Sequence, residues 1–276
     1  MKELFEVTFK VSMFAFVAGS MAALGLGLDV SQIIAPFKKK RMVILSLIAN
    51  FVLVPLFAFS LLWILPVSEG TRKGIILLAL GGGATFTPLI VARAKSFVGG
   101  AIGLMLLLLT TTFILLPIVL PLIFSGALVN PWDITRSLVS TMMVPLALAL
   151  LIRARFSAIA ILIQPYVSKI ASISALILAI TIIKLYTKTI ISNLSTLPIV
   201  VLFVLGAMLI GYLTGGKSRD ARIILAIGTA LRNPPVAILV ANQSFPAEPM
   251  VAIIPLLGFI IAMLILFPWA KSVQSS

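Results

Sequence analysis

Nine runs of mostly apolar residues, each about the 20 residues a helix needs to cross a bilayer, follow one another down this chain with only short polar connections between them. With 61% hydrophobic and 10% charged residues, the composition lies well outside the globular average of about 45–50% apolar and about 25% charged. The expected fold is an all-α polytopic membrane protein with about nine transmembrane helices, near residues 9–29, 42–65, 73–94, 98–124, 134–152, 163–186, 193–214, 220–243 and 249–270. The thinnest divider is Ile152-Arg153-Ala154-Arg155-Phe156, between the fifth and sixth runs. The first run lacks a small-residue cleavage pattern and passes straight into Lys38-Lys39-Lys40-Arg41, which predicts a retained span rather than a removed signal.

A formal charge of +14 suggests a nucleic-acid partner only until the basic residues are placed. Alternate connections collect thirteen on one side (Lys38 to Arg41, Arg93, Lys95, Arg153, Arg155, Lys169, Lys217, Arg219, Arg222 and Lys271) and seven on the other (Lys2, Lys10, Arg72, Lys73, Arg136, Lys184 and Lys188). That bias is a topology signal. It predicts an integral protein of the cell (inner) membrane with its amino terminus outside and its carboxyl terminus cytoplasmic, in contact with the lipid bilayer and not with nucleic acid. The seven acidic residues, Glu3, Glu6, Asp29, Glu69, Asp133, Asp220 and Glu248, all fall near the ends of apolar runs or in connections. Histidine and cysteine are absent, which removes disulfides, thiolate chemistry and the usual zinc ligands. An intramembrane enzyme would have only Ser, Thr, Lys and Tyr to work with, so neither catalysis nor a cofactor is expected.

Two stretches interrupt the apolar runs: Gly81-Gly82-Gly83-Ala84-Thr85-Phe86-Thr87-Pro88 in the third and Gly228-Thr229-Ala230-Leu231-Arg232-Asn233-Pro234-Pro235 in the eighth. In hydrocarbon an unwound backbone survives only where protein or a water-filled cavity satisfies its amides and carbonyls. Laying 74–97 over 222–245 without a gap gives identities that include Ile75/Ile223, Ile76/Ile224, Leu77/Leu225, Ser96/Ser244 and Phe97/Phe245. Both copies share a basic start, an Ile-Ile-Leu run, a broken centre and a Ser-Phe end. An offset of five spans is odd, so the copies run in opposite directions, and paired interruptions of this kind point to a secondary transporter's binding site. A single transmembrane domain over 1–276 is expected, with a first repeat of about 1–130 and a second of about 131–276.

Within the first break, three glycines, two threonines and a proline exceed what close helix packing requires. Freed carbonyls and the Thr85 and Thr87 hydroxyls are its candidate ligands. Arg232 is the sharpest single residue in the second, since an arginine near mid-membrane costs about 2.5 kcal/mol or more and faces a cavity or a partner. No carboxylate is expected at its depth, which leaves backbone carbonyls, water or a bound anion. Asn233 and the Pro234-Pro235 pair beside it enforce an extended stretch. Asn50 and Thr110-Thr111-Thr112 are polar residues inside the second and fourth runs; each reads equally as interhelical glue.

These residues together resemble the bile acid:sodium symporter family. The resemblance rests on Gly25-Leu26-Gly27-Leu28-Asp29, Asn50-Phe51 followed by Pro55, Gly81-Gly82 leading to Ala92-Arg93, Pro117 and Pro121, and Arg232-Asn233 followed by Ala237. It implies an inverted repeat with two broken, crossing helices, a core of helices beside a panel, and organic anions moved by alternating access. It also implies residual sodium ligands at Thr85, Thr110, Asn50 and Asn233. Against that, Phe86 stands where sodium-coupled members carry an asparagine, Gly228 where they carry a glutamate, and Arg232 where they carry a glutamine.

Those departures remove the carboxylate that offsets a bound cation and add a guanidinium that repels one. The expectation is a carrier of a small organic anion with weak or no sodium coupling, its substrate bound by Arg232, Asn233, Thr85, Thr87 and Asn50. Broken-helix backbone is expected at Gly81, Gly82, Gly83, Pro88, Gly228, Thr229, Pro234 and Pro235. A sodium-coupled symporter, an anion channel and a non-transporting scaffold are the competing readings.

Overall fold

The computed structural model describes residues 2–28, 40–124 and 130–274, and among these every regular element is a helix. They are α1 (Lys2–Gly27), α2 (Lys40–Ile64), α3 (Glu69–Leu80), α4 (Thr87–Arg93), α5 (Val98–Ile123), α6 (Pro131–Arg155), α7 (Ser157–Ser192), α8 (Leu197–Thr214), α9 (Arg219–Ala230), α10 (Pro234–Ser244) and α11 (Pro249–Ser272). Eight helical segments among the described residues are long and apolar enough to cross a membrane, with α9 and α10 together making one of them. The third expected span is not among the eight, because its break leaves α3 and α4 too short to qualify. The doubtful divider is real and one residue wide: Phe156, at φ −133° and ψ 60°, separates α6 from α7. Asp29, Lys38 and Lys39 lie outside the described residues.

Local chemistry accounts for the irregular points. In α2 and α6 a π turn, over Ala49–Leu53 and Val139–Met143, stands just before a Val-Pro pair, and the amides of Val54 and Val144 reach back five residues to the carbonyls of Ala49 and Val139. Proline offers no amide and its ring crowds the carbonyl four residues back. The wider turn makes room for Pro55 and Pro145 without ending the helix, and insertions of this kind often mark functional positions.

The helices sort into two packed groups. α1, α6 and α7 lie on one another, closely enough at Gly25 that a Cβ there would sit 2.7 Å from the Leu146 carbonyl oxygen. Leu26, Ala149 and Ala160 give this group an apolar cluster of its own. The second group holds α2 to α5 and α8 to α11, with α11 against α3 and α10, and α8 against α9 and α2. Both broken segments belong to the second group, and all of 223–241 is buried.

Candidate functional site

The two broken segments are built alike up to the break. Ser68 caps α3 by accepting from the Thr71 amide and Ser218 caps α9 by accepting from the Ala221 amide, with Glu69 and Asp220 in the respective first turns. Each helix then runs twelve residues and stops. The interruptions are shorter than the sequence implied. Pro88 lies in the first turn of α4, and Pro234 and Pro235 begin α10, because proline, lacking an amide, fits a helix start. Gly228 and Thr229 remain helical in the last turn of α9. The non-helical stretches reduce to residues 81–86, which end in a turn at Thr85 and Phe86, and 231–233.

The breaks meet and stitch together. The Asn233 amide donates to the Gly81 carbonyl at 2.9 Å, its side chain donates to the Gly83 carbonyl at 2.9 Å, and its Oδ1 caps α10 at the Val236 amide. Thr112 of α5 closes the other side, accepting from the Gly82 amide at 2.9 Å and donating to the Gly82 carbonyl at 3.3 Å. Backbone groups expected to face a ligand are thus bonded to protein. Gly83 takes φ +80° to turn its carbonyl inward, and its α-carbon packs directly on the Leu109 backbone.

Arg232 fills the centre of this crossing and is only 2% exposed. Its Nε donates to the Leu78 carbonyl at 3.0 Å, Nη2 to the Ala79 carbonyl, and Nη1 to Asn50 Oδ1 at 2.6 Å and the Thr229 carbonyl at 3.3 Å. Asn50, carried on the first π turn, also donates to Thr229 Oγ1 at 3.1 Å. The electrostatic sense is clear. The last-turn carbonyls of α3 and α9 are the negative ends of two helix dipoles, each equivalent to roughly half a charge, and a single guanidinium satisfies both.

Beside the crossing lies a half-open cavity of about 300 Å³ between the two helix groups. Thr85, Phe86 and Pro88 form its wall on the broken side, while Ser20 of α1 and Gln164, Ser168 and Ser172 of α7 face them. At the other end of the same seam, Phe9, Tyr186, Asn242 and Phe245 close on a space of only about 10 Å³, at the lower limit for one water. Lys73 braces that end, 2.6 Å from Glu248 and over the Phe245 ring.

Of the five residues expected to bind the anion, only Thr85 lines the cavity. Arg232, Asn233, Asn50 and Thr87 are buried, the first three fully engaged with protein and the Thr87 hydroxyl without a partner. The candidate sodium ligands are dispersed. Thr110 points away from the crossing into an apolar crevice between α5 and α6, while Thr112, two positions on, is the threonine that meets the break. A Cβ on Gly228 would lie 2.5 Å from Leu104 Cδ2, so the room for an acidic side chain there is taken by leucine. In this conformation the four residues do not assemble into a cage that fits sodium. Sequence reasoning missed Gln164, Ser168 and Ser172, though their spacing of four puts them on one helix face.

Residues 15–193 match the model of the Sodium Bile acid symporter family, whose members are transporters. No curated protein matches the chain at a meaningful level. The match ends before α9 and so does not include Arg232, but it takes in the first break and every residue that lines the cavity. On that extent, well over half of the 276 residues, the chain belongs to the sodium bile acid symporter family.

Proposed function

We propose that this protein is a secondary carrier of small organic anions, working by alternating access with weak or no sodium coupling. The observation that carries the reading is Arg232 seated on the carbonyls of Leu78, Ala79 and Thr229. A resident cation supplies the positive charge that a coupling ion would otherwise bring to two converging helix ends. In this reading Arg232 holds the crossing together, and its charge acts on the anion at a distance rather than by contact. The cavity is lined by the parts of α1, α4, α5 and α7 nearer the end that carries Arg93, Arg153, Arg155 and Lys169, while the seam is closed at the end that carries Lys73. With the basic-rich end cytoplasmic, this is the inward-facing state. Clustered positive charge at the mouth raises the local concentration of anions.

Counterflow in proteoliposomes tests the assignment. Preloaded organic anion is expected to accelerate uptake of labelled anion equally in sodium and in choline media, and an abolished signal in choline would establish the symporter instead. A leak without trans-acceleration would establish a pore.

The closed seam gives a second test, helped by a chain with no cysteine of its own. Tyr186 and Asn242 line the same shut space from opposite helix groups. Joining Tyr186→Cys to Asn242→Cys with a short reducible crosslinker is expected to stop counterflow, and reduction to restore it. Full transport by the crosslinked protein would show that this seam does not part during the cycle.

A further inference from the structure

The panel side of the cavity carries a row of polar groups that the crossing does not use. Gln164, Ser168 and Ser172 recur every four residues on α7, a spacing that stacks them along one helix face. Ser172 donates to the Ser168 carbonyl at 2.9 Å, the ordinary way for a serine to satisfy itself in a helix. The Gln164 amide and the Ser168 and Thr85 hydroxyls make no side-chain hydrogen bond among the described residues. In a membrane-spanning helix an amide without a partner is costly, and it persists where it faces water or a ligand.

Apart from Ser20, whose hydroxyl donates to the Phe16 carbonyl at 2.5 Å, the rest of the wall is apolar, with Phe16, Leu24 and Met105 among its residues, and among the described residues no charged side chain lines it. The space is about that of ten liquid waters. We propose that Gln164 and Ser168, with Thr85 across the cavity, are specificity residues that bind the uncharged polar groups of the cargo, and that the cargo is a small monocarboxylate bearing hydroxyl or amide groups. This rests on the organic-anion reading above and narrows it. The cavity matches such a molecule in size and supplies both donors and acceptors through the glutamine amide. A site built to hydrogen-bond a hydroxyl rejects the analogue that lacks it, because its own polar groups are then left unpaired.

The test compares glycerate, gluconate and N-acetyl-β-alaninate with propanoate and hexanoate, as ligands in thermal stabilisation of the purified full-length protein and as counterflow substrates. The polar acids are expected to stabilise and to exchange, and the alkyl acids to do neither at the same concentration. Gln164→Leu and the milder Ser168→Ala are each expected to raise the half-saturating concentration of the polar acids about three- to tenfold, the worth of one lost hydrogen bond. Their ligand-free melting temperatures should stay close to the parent's, and this preference for polar over alkyl acids should fall, which a purely structural role would not produce. Alkyl acids exchanging as well as polar ones, with both variants unchanged, would overturn the inference and leave the organic-anion carrier standing. No exchange or stabilisation by any of the acids would overturn both.

Discussion

Arg232→Ala is expected to lower the melting temperature of the purified protein by roughly 6–12 °C and to abolish counterflow, on the order of 3 kcal/mol spread over a domain of this size. The cost arises from what is left behind. The carbonyls of Leu78 and Ala79 and the Asn50 side-chain oxygen lose their donor, and each orphaned buried acceptor costs about 1–3 kcal/mol. Relief from burying the guanidinium offsets part of this. Arg232→Lys should recover only a fraction, because an ammonium is a compact point of charge and cannot reach two successive carbonyls and an amide oxygen as a planar fork does. The electrostatic account adds a sharper expectation. The parent should melt at one temperature in sodium and choline salts, whereas Arg232→Ala, with two helix ends now uncompensated, should regain part of its stability in sodium alone. A sodium-dependent melting point in the parent would sink the resident-cation account.

What the sequence disclosed, and what it withheld, follows from the range of the interactions concerned. Eight of the nine expected spans were legible because length and apolarity are local quantities, and even the one-residue divider at Phe156 was signalled by the two arginines just before it. The breaks at Gly81 and Arg232 were legible for the same reason, since glycine and proline act on their own backbone. Their ends were misjudged because proline was taken as part of the interruption, while Pro88 and Pro234 begin the following helices. The partners of Arg232 were not legible. They lie 182, 154 and 153 positions away at Asn50, Leu78 and Ala79, and no local pattern specifies such a pairing. Thr112 instead of Thr110 is a matter of helix phase, in which two residues turn a side chain to roughly the opposite face. Gln164, Ser168 and Ser172 were passed over because each is individually a mild interruption, and only the cavity opposite gives their common face a meaning.

Gly83→Ala tests the crossing from its other side and should be about as damaging as loss of Arg232. Two costs coincide at this position. The φ of +80° is one that a residue with a Cβ occupies at about 1–3 kcal/mol, and the new methyl would lie 2.4 Å from the Leu109 amide nitrogen and 2.6 Å from its Cα. Backbone cannot rotate away as a side-chain tip does, so either α5 is displaced or the Gly83 carbonyl turns out of reach of Asn233. Displacing α5 also moves Thr112, which holds both polar groups of Gly82, so the damage spreads to the neighbouring residue. Gly216→Ala separates the two costs. Gly216 has nearly the same backbone, φ +68°, and nothing within 4 Å of where its Cβ would stand, so it carries the conformational penalty alone. The expected result is a Gly216→Ala protein that melts within a few degrees of the parent and still exchanges anion, beside a Gly83→Ala protein that is poorly stable and inactive. Equal behaviour of the two variants would mean that the close approach of the first break to α5 does not hold the site in shape.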